Sequence, residues 1–228
     1  MSGTAILVSS ETAQAWAQVY IPPVTGPYEW FNLGATGISN IRRLNNWGSE
    51  GGSLTLAGGA ALASIGIQNT STTVDSRCTM RSTTPASFTA VGIMDVAASA
   101  AVLRVADIRL VTTSTKQLKR IMTAGQATIS TVLPASGAVV YFVQGDSTGH
   151  RFGFITTANG IVSSTSTAVG DSTKAAYIGG STETGQVAAA YSAYAGCVYP
   201  SVLVDADLLQ ISDRMYRYAA GFGVTVNG

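Results

Sequence analysis

The sequence predicts an all-β protein, with two stacked antiparallel sheets followed by one short C-terminal helix. Short apolar segments alternate with turns rich in Gly, Asn and Ser at spacings of roughly 8 to 15 residues, which is typical of a sandwich or barrel. Thr and Val, which favour strands, are common, whereas helix-forming Glu and Lys are scarce. Helical spacing of apolar residues is confined to the last part of the chain.

Residues 1–35 are predicted to form an N-terminal arm or assembly segment, and residues 36–228 the sandwich domain. Pro22-Pro23 and Gly26-Pro27 break any regular element in this arm. Its aromatic side chains either join a neighbouring subunit in an assembly or pack on the sandwich, and we favour packing on the sandwich. These residues are Trp16, Tyr20, Tyr28, Trp30 and Phe31.

Apolar and alternating runs predict the strands of the sandwich in order. The clearest run is FTAVGIM at 88–94, and VVYFV at 139–143 leads through the turn GDSTG into RFGFI. Asn159-Gly160 then reverses the chain, as this dipeptide does in tight hairpins. Further short strand-like segments lie at 53–56, 63–67, 102–111, 127–132, 177–180 and 196–199.

The C-terminal helix is predicted from about Asp205, as the N-cap, to Gly221. Asp213 and Arg217 are four residues apart and are expected to pair on the exposed side. The segment at 223–226 is expected to return to a sheet as a final strand. The apolar residues that keep mostly to one helix face are Leu208, Leu209, Ile211, Met215 and Tyr218.

The charge pattern argues against a nucleic-acid partner. The net charge is +1 and 11% of residues are charged, against about 25% in an average soluble domain. The only basic clusters are small, at 42–43 and 116–120, whereas nucleic-acid binders present a basic face. Low charge with many hydroxyl groups suits a protein that packs against copies of itself, because buried lone charges are costly.

No leader, membrane segment or cysteine framework is predicted. The N-terminus lacks a charged start before a long apolar core, so we expect no signal peptide. No apolar run reaches the length of about 18 residues that predicts a membrane span. Cys78 and Cys197 lie far apart without metal-ligand spacing, and Cys197 is expected to pack as a small apolar residue, although the spacing alone leaves a disulfide open.

The succession of strands and turns resembles that of the concanavalin A-like (laminin G-like) jelly-roll modules of bacteriophage virion proteins. The lead-in NNWGSEGGSLTLAGGA is followed by FTAVGIMD and ADIRLVTT. The hairpin AVVYFVQGDSTGHRFGFITTANG comes next, and then AAYIGGS, YAGCVY and the helix DADLLQISDRMYRYAAGFGV. This resemblance covers roughly 36–228 and implies a two-sheet antiparallel jelly-roll sandwich. Such modules are carried by tail fibres, tail tips or capsid attachments and often bind glycans.

The resemblance implies a function on the outside of a virion, with other virion proteins as partners. We expect a tail-fibre or tail-tip component that contacts host-surface glycan during adsorption without covalent chemistry. A homotrimer is favoured, because weak sugar contacts add through multivalency. The alternative is a purely structural decoration or attachment subunit. A third hypothesis is a polysaccharide hydrolase or lyase.

Sequence patterns of catalysis argue against an enzyme. Most glycosidases use two neighbouring carboxylates, but Glu11, Glu29, Glu50 and Glu183 have no acidic residue two positions away. Asp205 and Asp207 are two apart but begin the helix, where acidic residues stabilise the dipole. The single histidine, His150, falls in the predicted hairpin turn, where we expect it exposed and mobile rather than in a catalytic triad.

Two clusters are candidates for glycan binding. Trp47 has the aromatic face that stacks on a sugar ring, and Asn45, Asn46 and Glu50 beside it supply polar groups. The second cluster is His150 with Arg151 at the hairpin tip. The simpler interpretation of Trp47 is a plug at the edge of the core, and this alternative stays open.

No cofactor is expected, and calcium is the alternative considered. Oxygen atoms of Asp146, Ser147, Thr148 and Asn159 could bind Ca²⁺. The closely spaced acidic ladder of a dedicated calcium loop is missing, however, and ordinary turn chemistry explains these residues.

Overall fold

The computed structural model describes residues 22–34, 39–69, 76–180 and 190–227. In this part of the chain, fifteen strands form two antiparallel sheets, and a helix follows the last strand. The predicted class, an all-β two-sheet sandwich with a C-terminal helix, is confirmed. The described residues also contain a five-residue helix that the sequence did not predict, α1 (Asn40–Leu44).

Sheet 1 has eight strands in the order β13-β12-β11-β6-β15-β4-β3, and β1 pairs with β15 beside β4. Its central strands are the longest of the sheet. The strands are β1 (Glu29–Asn32), β3 (Ala60–Leu62), β4 (Ile67–Asn69), β6 (Phe88–Val96), β11 (Val139–Asp146), β12 (Gly149–Thr156), β13 (Gly160–Ser166) and β15 (Tyr191–Tyr199).

Sheet 2 has seven strands in the order β10-β9-β8-β7-β14-β5-β2. The strands are β2 (Thr55–Ala57), β5 (Arg77–Arg81), β7 (Ala101–Val105), β8 (Ile108–Thr112), β9 (Gln117–Met122), β10 (Gly125–Val132) and β14 (Ala176–Gly179). The strand predicted at IRLV within 102–111 is confirmed as β8, and it pairs with β7 across a turn in which Ala106 has φ at 58°. The segment at 63–67 is mostly a turn between β3 and β4.

The two faces of sheet 1 belong to two hydrophobic cores. One core lies between the sheets and includes Phe152 and Phe154, and the other lies between sheet 1 and the C-terminal helix and includes Phe142. Strands β6, β11 and β15 are therefore buried on both faces. Their near-continuous apolar sequences follow from this double burial, because neither face meets water.

Helix α2 (Asp205–Ala220) covers the outer face of sheet 1. Its N-cap is Val204, which makes no side-chain capping bond, so the prediction of Asp205 as N-cap is wrong and Asp205 is the first helical residue. The Asp213–Arg217 pair is confirmed at 3.0 Å. Leu209 is 46% exposed and does not belong to the buried face. The residues of that face are Leu208, Ile211, Met215 and Tyr218.

The described part of the predicted N-terminal arm, 22–34, contains strand β1 of sheet 1. Phe31 is fully buried in the core between the sheets, and Tyr199 donates from its hydroxyl to the Val24 carbonyl at 3.0 Å. These residues thus pack on the sandwich. Trp16 and Tyr20 lie outside the described residues.

Arg43 links helix α1 to two loops, the segment after β1 and the turn between β3 and β4. Its side chain is buried, and its guanidinium donates to the carbonyls of Leu33, Ala63 and Gly66 at 2.6–3.1 Å. Arg43, one of the two arginines at 42–43, therefore has a structural role.

The C-terminal segment and the two cysteines are the remaining features for which the sequence allowed a prediction. The strand predicted at 223–226 is reduced to one parallel bridge between Val226 and Ala138. Cys78 and Cys197 are both buried and form no disulfide, and burial raises the pKa of Cys78 to about 12. Neither described helix has the length and apolar character needed to cross a membrane.

Candidate functional site

A cavity of about 220 Å³ lies at one end of sheet 1, on the face that helix α2 covers. Directly paired residues share one face of a sheet, and the pairs Thr89–Gln144, Gln144–Arg151 and Arg151–Thr165 form a polar row across four strands. The row lies beside the loop that leads into α2. We name this space the Gln144 cavity, and the lining residues used below are Gln144, Asp146, Thr148, Arg151, Thr165 and Val202.

Gln144 is the unusual residue of this cavity. It is 5% exposed, and its Oε1 is buried without a hydrogen-bond partner in the protein. An unsatisfied buried polar atom costs about 1–3 kcal/mol, and native structures contain few of them. The side chain therefore presents an acceptor that needs a donor from water or from a ligand.

Asp205, Ser163 and Phe142 hold the guanidinium of Arg151 in place. Both terminal nitrogens bond to the Asp205 carboxylate at the start of α2, and Nε donates to Ser163 Oγ at 2.9 Å. The guanidinium also stacks over the Phe142 ring, 5.5 Å from its centroid. A guanidinium has five N–H donors, and three are used here, so two remain for another acceptor.

Asp146 ends strand β11 in a tight turn. Its Oδ1 accepts from the Thr148 hydroxyl at 2.6 Å and the Thr148 backbone N–H at 2.7 Å. These two hydrogen bonds lower the pKa of the Asp146 carboxyl, because they stabilise its ionised form. The turn thus fixes a negative charge at the rim of the Gln144 cavity.

The prediction that His150 is exposed in a turn is wrong. Because β12 begins at Gly149, His150 is a strand residue on the face towards the core between the sheets, and it is 5% exposed. Its Nδ1 lies 2.6 Å from the Ala168 carbonyl, which makes Nδ1 the protonated nitrogen, and Nε2 is buried without a partner. Burial foremost, helped by the charge of Arg120, lowers the pKa of His150.

The predicted loop around Trp47 lies at the same end of sheet 1. Register places it beside β1, four strand spacings or roughly 19 Å from β12. Trp47 is half-buried, and its ring lies 5.9 Å from that of Trp30. The indole Nε1 is buried without a partner. Trp47 is therefore packed against the strand that joins the arm to the sandwich.

The polar neighbours of Trp47 are largely used within the protein. The amide of Asn46 accepts from the backbone of Trp30 and Gly48 and donates to two carbonyls at 2.8–3.1 Å. Asn45 accepts from Ser53 at 3.4 Å, and Glu50 lies 3.8 Å from Arg81. Asn46 thus shapes the loop, while the prediction of glycan contact for this cluster stays a prediction.

The residues considered for calcium are divided by the fold. Asp146 precedes β12 and Asn159 follows it, so the length of this eight-residue strand separates them. Asn159 bonds instead to Thr156 Oγ1 at 3.2–3.3 Å. Among the described residues, no three His, Cys, Asp or Glu side chains come close enough to share a metal ion.

A second cavity of about 430 Å³ lies where β4, β6 and β15 meet the β8–β9 turn. Its lysine, Lys116, donates to the Val96 carbonyl at 2.6 Å, and its tyrosine, Tyr191, donates to the Ser76 carbonyl at 3.2 Å. These two polar groups therefore already have partners, in contrast to Gln144 Oε1.

No protein-family model matches this chain, and no curated protein does. Solved structures with the same fold include sialidases and botulinum neurotoxins. A sialidase of Trypanosoma rangeli superposes with a TM-score of 0.61 at 13% identity, over 85% of this chain and 34% of its own. A structure of botulinum neurotoxin type C gives 0.55 at 11%, over 79% of this chain and 50% of its own. The binding domain of botulinum neurotoxin serotype D/C gives 0.56 at 8%, over 82% and 52%.

These identities show a shared fold alone, and this chain spans about a third of the sialidase and half of the neurotoxin chains. The two-sheet sandwich is therefore a fold that also occurs within larger proteins. Cell entry of botulinum neurotoxin type C depends on interaction with two ganglioside molecules.

The sialidases overturn the prediction that the chain is not an enzyme. That prediction rested on the lack of neighbouring carboxylates, but sialidases are glycoside hydrolases that use a tyrosine nucleophile and need no such pair. Carboxylates distant in sequence also meet in the fold, because Glu29 and Glu50 lie 2.6 and 3.8 Å from Arg81. The missing sequence motif therefore excludes no enzyme.

Sequence reasoning found Arg151 but missed Gln144, Thr165 and Val202. Gln144 ends the apolar run VVYFV, and a strand buried on both faces shows no alternation from which its facing side can be predicted. The one available signal was the polar residue itself at the end of such a run. Val202 comes from a loop 58 positions away along the chain.

Proposed function

We propose that this chain is a carbohydrate-binding module that holds a sugar in the Gln144 cavity. The buried, unpartnered Oε1 of Gln144 carries the proposal, because a sugar hydroxyl is a suitable donor for it. The two remaining N–H groups of Arg151 would donate to sugar oxygens, and the half-exposed Val202 would contact the apolar face of the ring. A few fixed polar groups beside apolar surface are typical of ligand sites.

The volume of the cavity indicates the size of the ligand. Pockets for drug-sized molecules run to roughly 300–1,000 Å³, whereas the Gln144 cavity has about 220 Å³. It suits one monosaccharide unit at the end or on a branch of a glycan. The fold shared with a neurotoxin described as dependent on gangliosides supports a glycan as the ligand.

The setting that we propose is the outside of a bacteriophage virion, in a tail fibre, tail tip or similar structure. There the chain would join other virion proteins and contact host-surface glycan during adsorption. Sequence resemblance and low charge support this setting. A homotrimer would present three weak sites whose binding adds through multivalency. Binding by hydrogen bonds and shape needs no cofactor.

Glycan-array binding with matched variants tests the proposal. Gln144→Leu removes the acceptor with little change in volume, and we expect at least a tenfold loss of binding. Gln126→Leu is the control, because Gln126 is exposed on β10 of the other sheet. Thermal unfolding checks that both variants fold.

The other outcomes of the array are also informative. Binding lost in Trp47→Ala but kept in Gln144→Leu would move the site to the Trp47 loop. Release of reducing ends from a bound glycan would make the chain a hydrolase. An absence of binding to any glycan by the parent chain would reject the proposal and favour a subunit that acts through protein–protein packing.

A further inference from the structure

We infer that the Gln144 cavity selects neutral sugars over acidic sugars, an inference that rests on the proposed function. Arg151 and Asp146 line the cavity, and the carboxylate of Asp205 pairs with Arg151, so one positive group is accompanied by two negative groups. The local charge is therefore negative although an arginine lines the cavity. A carboxylated or sulfated sugar would be repelled.

The pairing of Arg151 with Asp205 decides this selectivity. Arginine recognises a carboxylate through two parallel N–H···O bonds, but both terminal nitrogens of Arg151 already bond to the two oxygens of Asp205. Ser163 and the Phe142 ring hold the guanidinium in that orientation. A ligand carboxylate would have to displace Asp205, which is part of helix α2.

Asp146 adds a second obstacle to acidic ligands. Its carboxylate is fixed by Thr148 and is exposed at the rim, so a second negative group nearby would meet like-charge repulsion. His150 does not compensate for this charge, because burial lowers its pKa and keeps the ring neutral. No other charged side chain lines the cavity among the described residues.

A neutral sugar matches the hydrogen-bonding groups that remain. Gln144 Oε1 and the Asp146 carboxylate are acceptors for hydroxyl groups, and Arg151 retains two donors for a hydroxyl or ring oxygen. Hydroxyl groups both donate and accept. A hexose can therefore satisfy all three residues without bringing a charge into the site.

Pairs of sugars that differ only at one carbon test the inference. We propose an array of hexose glycosides and their hexuronic acids, such as glucosides beside glucuronides and galactosides beside galacturonides. The parent chain is expected to bind the neutral member about three- to tenfold more tightly at low salt, because repulsion between close surface charges is of this order. The ratio should fall as salt is added.

Two variants test whether the charge of Asp205 sets the ratio of neutral to acidic sugar binding. Asp205→Asn removes a negative charge and frees the guanidinium fork of Arg151, so the neutral-to-acidic ratio should fall to about one or reverse. Asp213→Asn is the matched control: it breaks an exposed pair with Arg217 on the same helix, away from the cavity, and should leave the ratio unchanged.

The failures of the two proposals can be told apart. If the parent chain binds no glycan, the proposed function fails and the inference fails with it. If it binds neutral and acidic members equally, or if Asp205→Asn leaves the ratio unchanged, the inference alone is overturned and carbohydrate binding stands.

Discussion

Three polar side chains lie near the candidate sites of this sandwich and have a buried atom without a hydrogen-bond partner. Gln144, His150 and Trp47 each hold one buried polar atom without a partner, and these atoms lie at the same end of the molecule. Gln144 is paired with Thr89, the His150 ring bonds to the Ala168 carbonyl, and Trp47 packs against Trp30. Their local sequences resemble ordinary turns or strand ends, so their environments follow from packing rather than from composition.

At the residue scale, we predict that His150 makes stability depend on pH. Its pKa is lowered in the fold by burial and by Arg120, against an opposing effect of Asp107, while the unfolded value is about 6.5. Above that pH both states are neutral. Below that pH, His150 takes up a proton in the unfolded chain but stays neutral in the folded chain. Stability therefore falls as the pH falls towards the folded pKa.

Denaturant unfolding of the parent and of His150→Gln checks this prediction. Glutamine keeps an N–H donor for the Ala168 carbonyl but does not titrate. From pH 7 to pH 5 the parent should lose more stability than the variant. Because both chains share every other titrating group, equal losses would show that His150 does not contribute.

At the element scale, helix α2 gives a matched pair of neighbouring leucines. Leu208 is fully buried against sheet 1, whereas Leu209 is 46% exposed. We predict that Leu208→Ala lowers the free energy of unfolding by about 2–5 kcal/mol, as cavity-forming truncations do. Leu209→Ala should change it by less than about 1 kcal/mol, since exposed positions tolerate truncation.

Chemical denaturation of both variants measures the difference. If the two losses were equal, helix α2 would not be fixed on sheet 1 by the face described above. The loss in Leu208→Ala should come with weaker glycan binding, because the helix carries Asp205, which pairs with Arg151 of the Gln144 cavity.

At the scale of the whole molecule, the ion pair of Arg81 and Glu29 joins the two sheets. Glu29 is on β1 of sheet 1 and Arg81 on β5 of sheet 2, and they meet at 2.6 Å. The side chain of Glu29 is 4% exposed and that of Arg81 is 21% exposed. Burial raises the pKa of Glu29, and the hydrogen bond and charge of Arg81 oppose that rise.

We predict that Arg81→Met lowers the free energy of unfolding by about 3 kcal/mol, the lower end for a broken buried pair because Arg81 keeps some exposure. The loss should shrink as the pH falls and Glu29 takes up a proton, since a neutral carboxyl needs no counter-charge. Arg217→Met is the control, because its exposed pair with Asp213 is worth at most about 1 kcal/mol. Similar losses in both variants would contradict a linking role for Arg81.

The class of fold, most strand positions and the position of the terminal helix could be predicted from the sequence. These depend on local periodicity and turn residues, as at Asn159-Gly160 and in the run from Phe88. The sequence also indicated Arg151, because a charged residue next to a predicted hairpin turn can be recognised without the fold.

The surroundings of these residues follow from packing in three dimensions. His150 is buried because β12 begins one residue before it, Arg151 is neutralised by an aspartate 54 positions away, and Gln144 lies in a cavity that a loop from later in the chain, at Val202, helps to line. Burial and electrostatics depend on distance in space. Strand pairing within sheet 1 and the packing of the helix on it set those distances. The periodicity of the sequence does not show them.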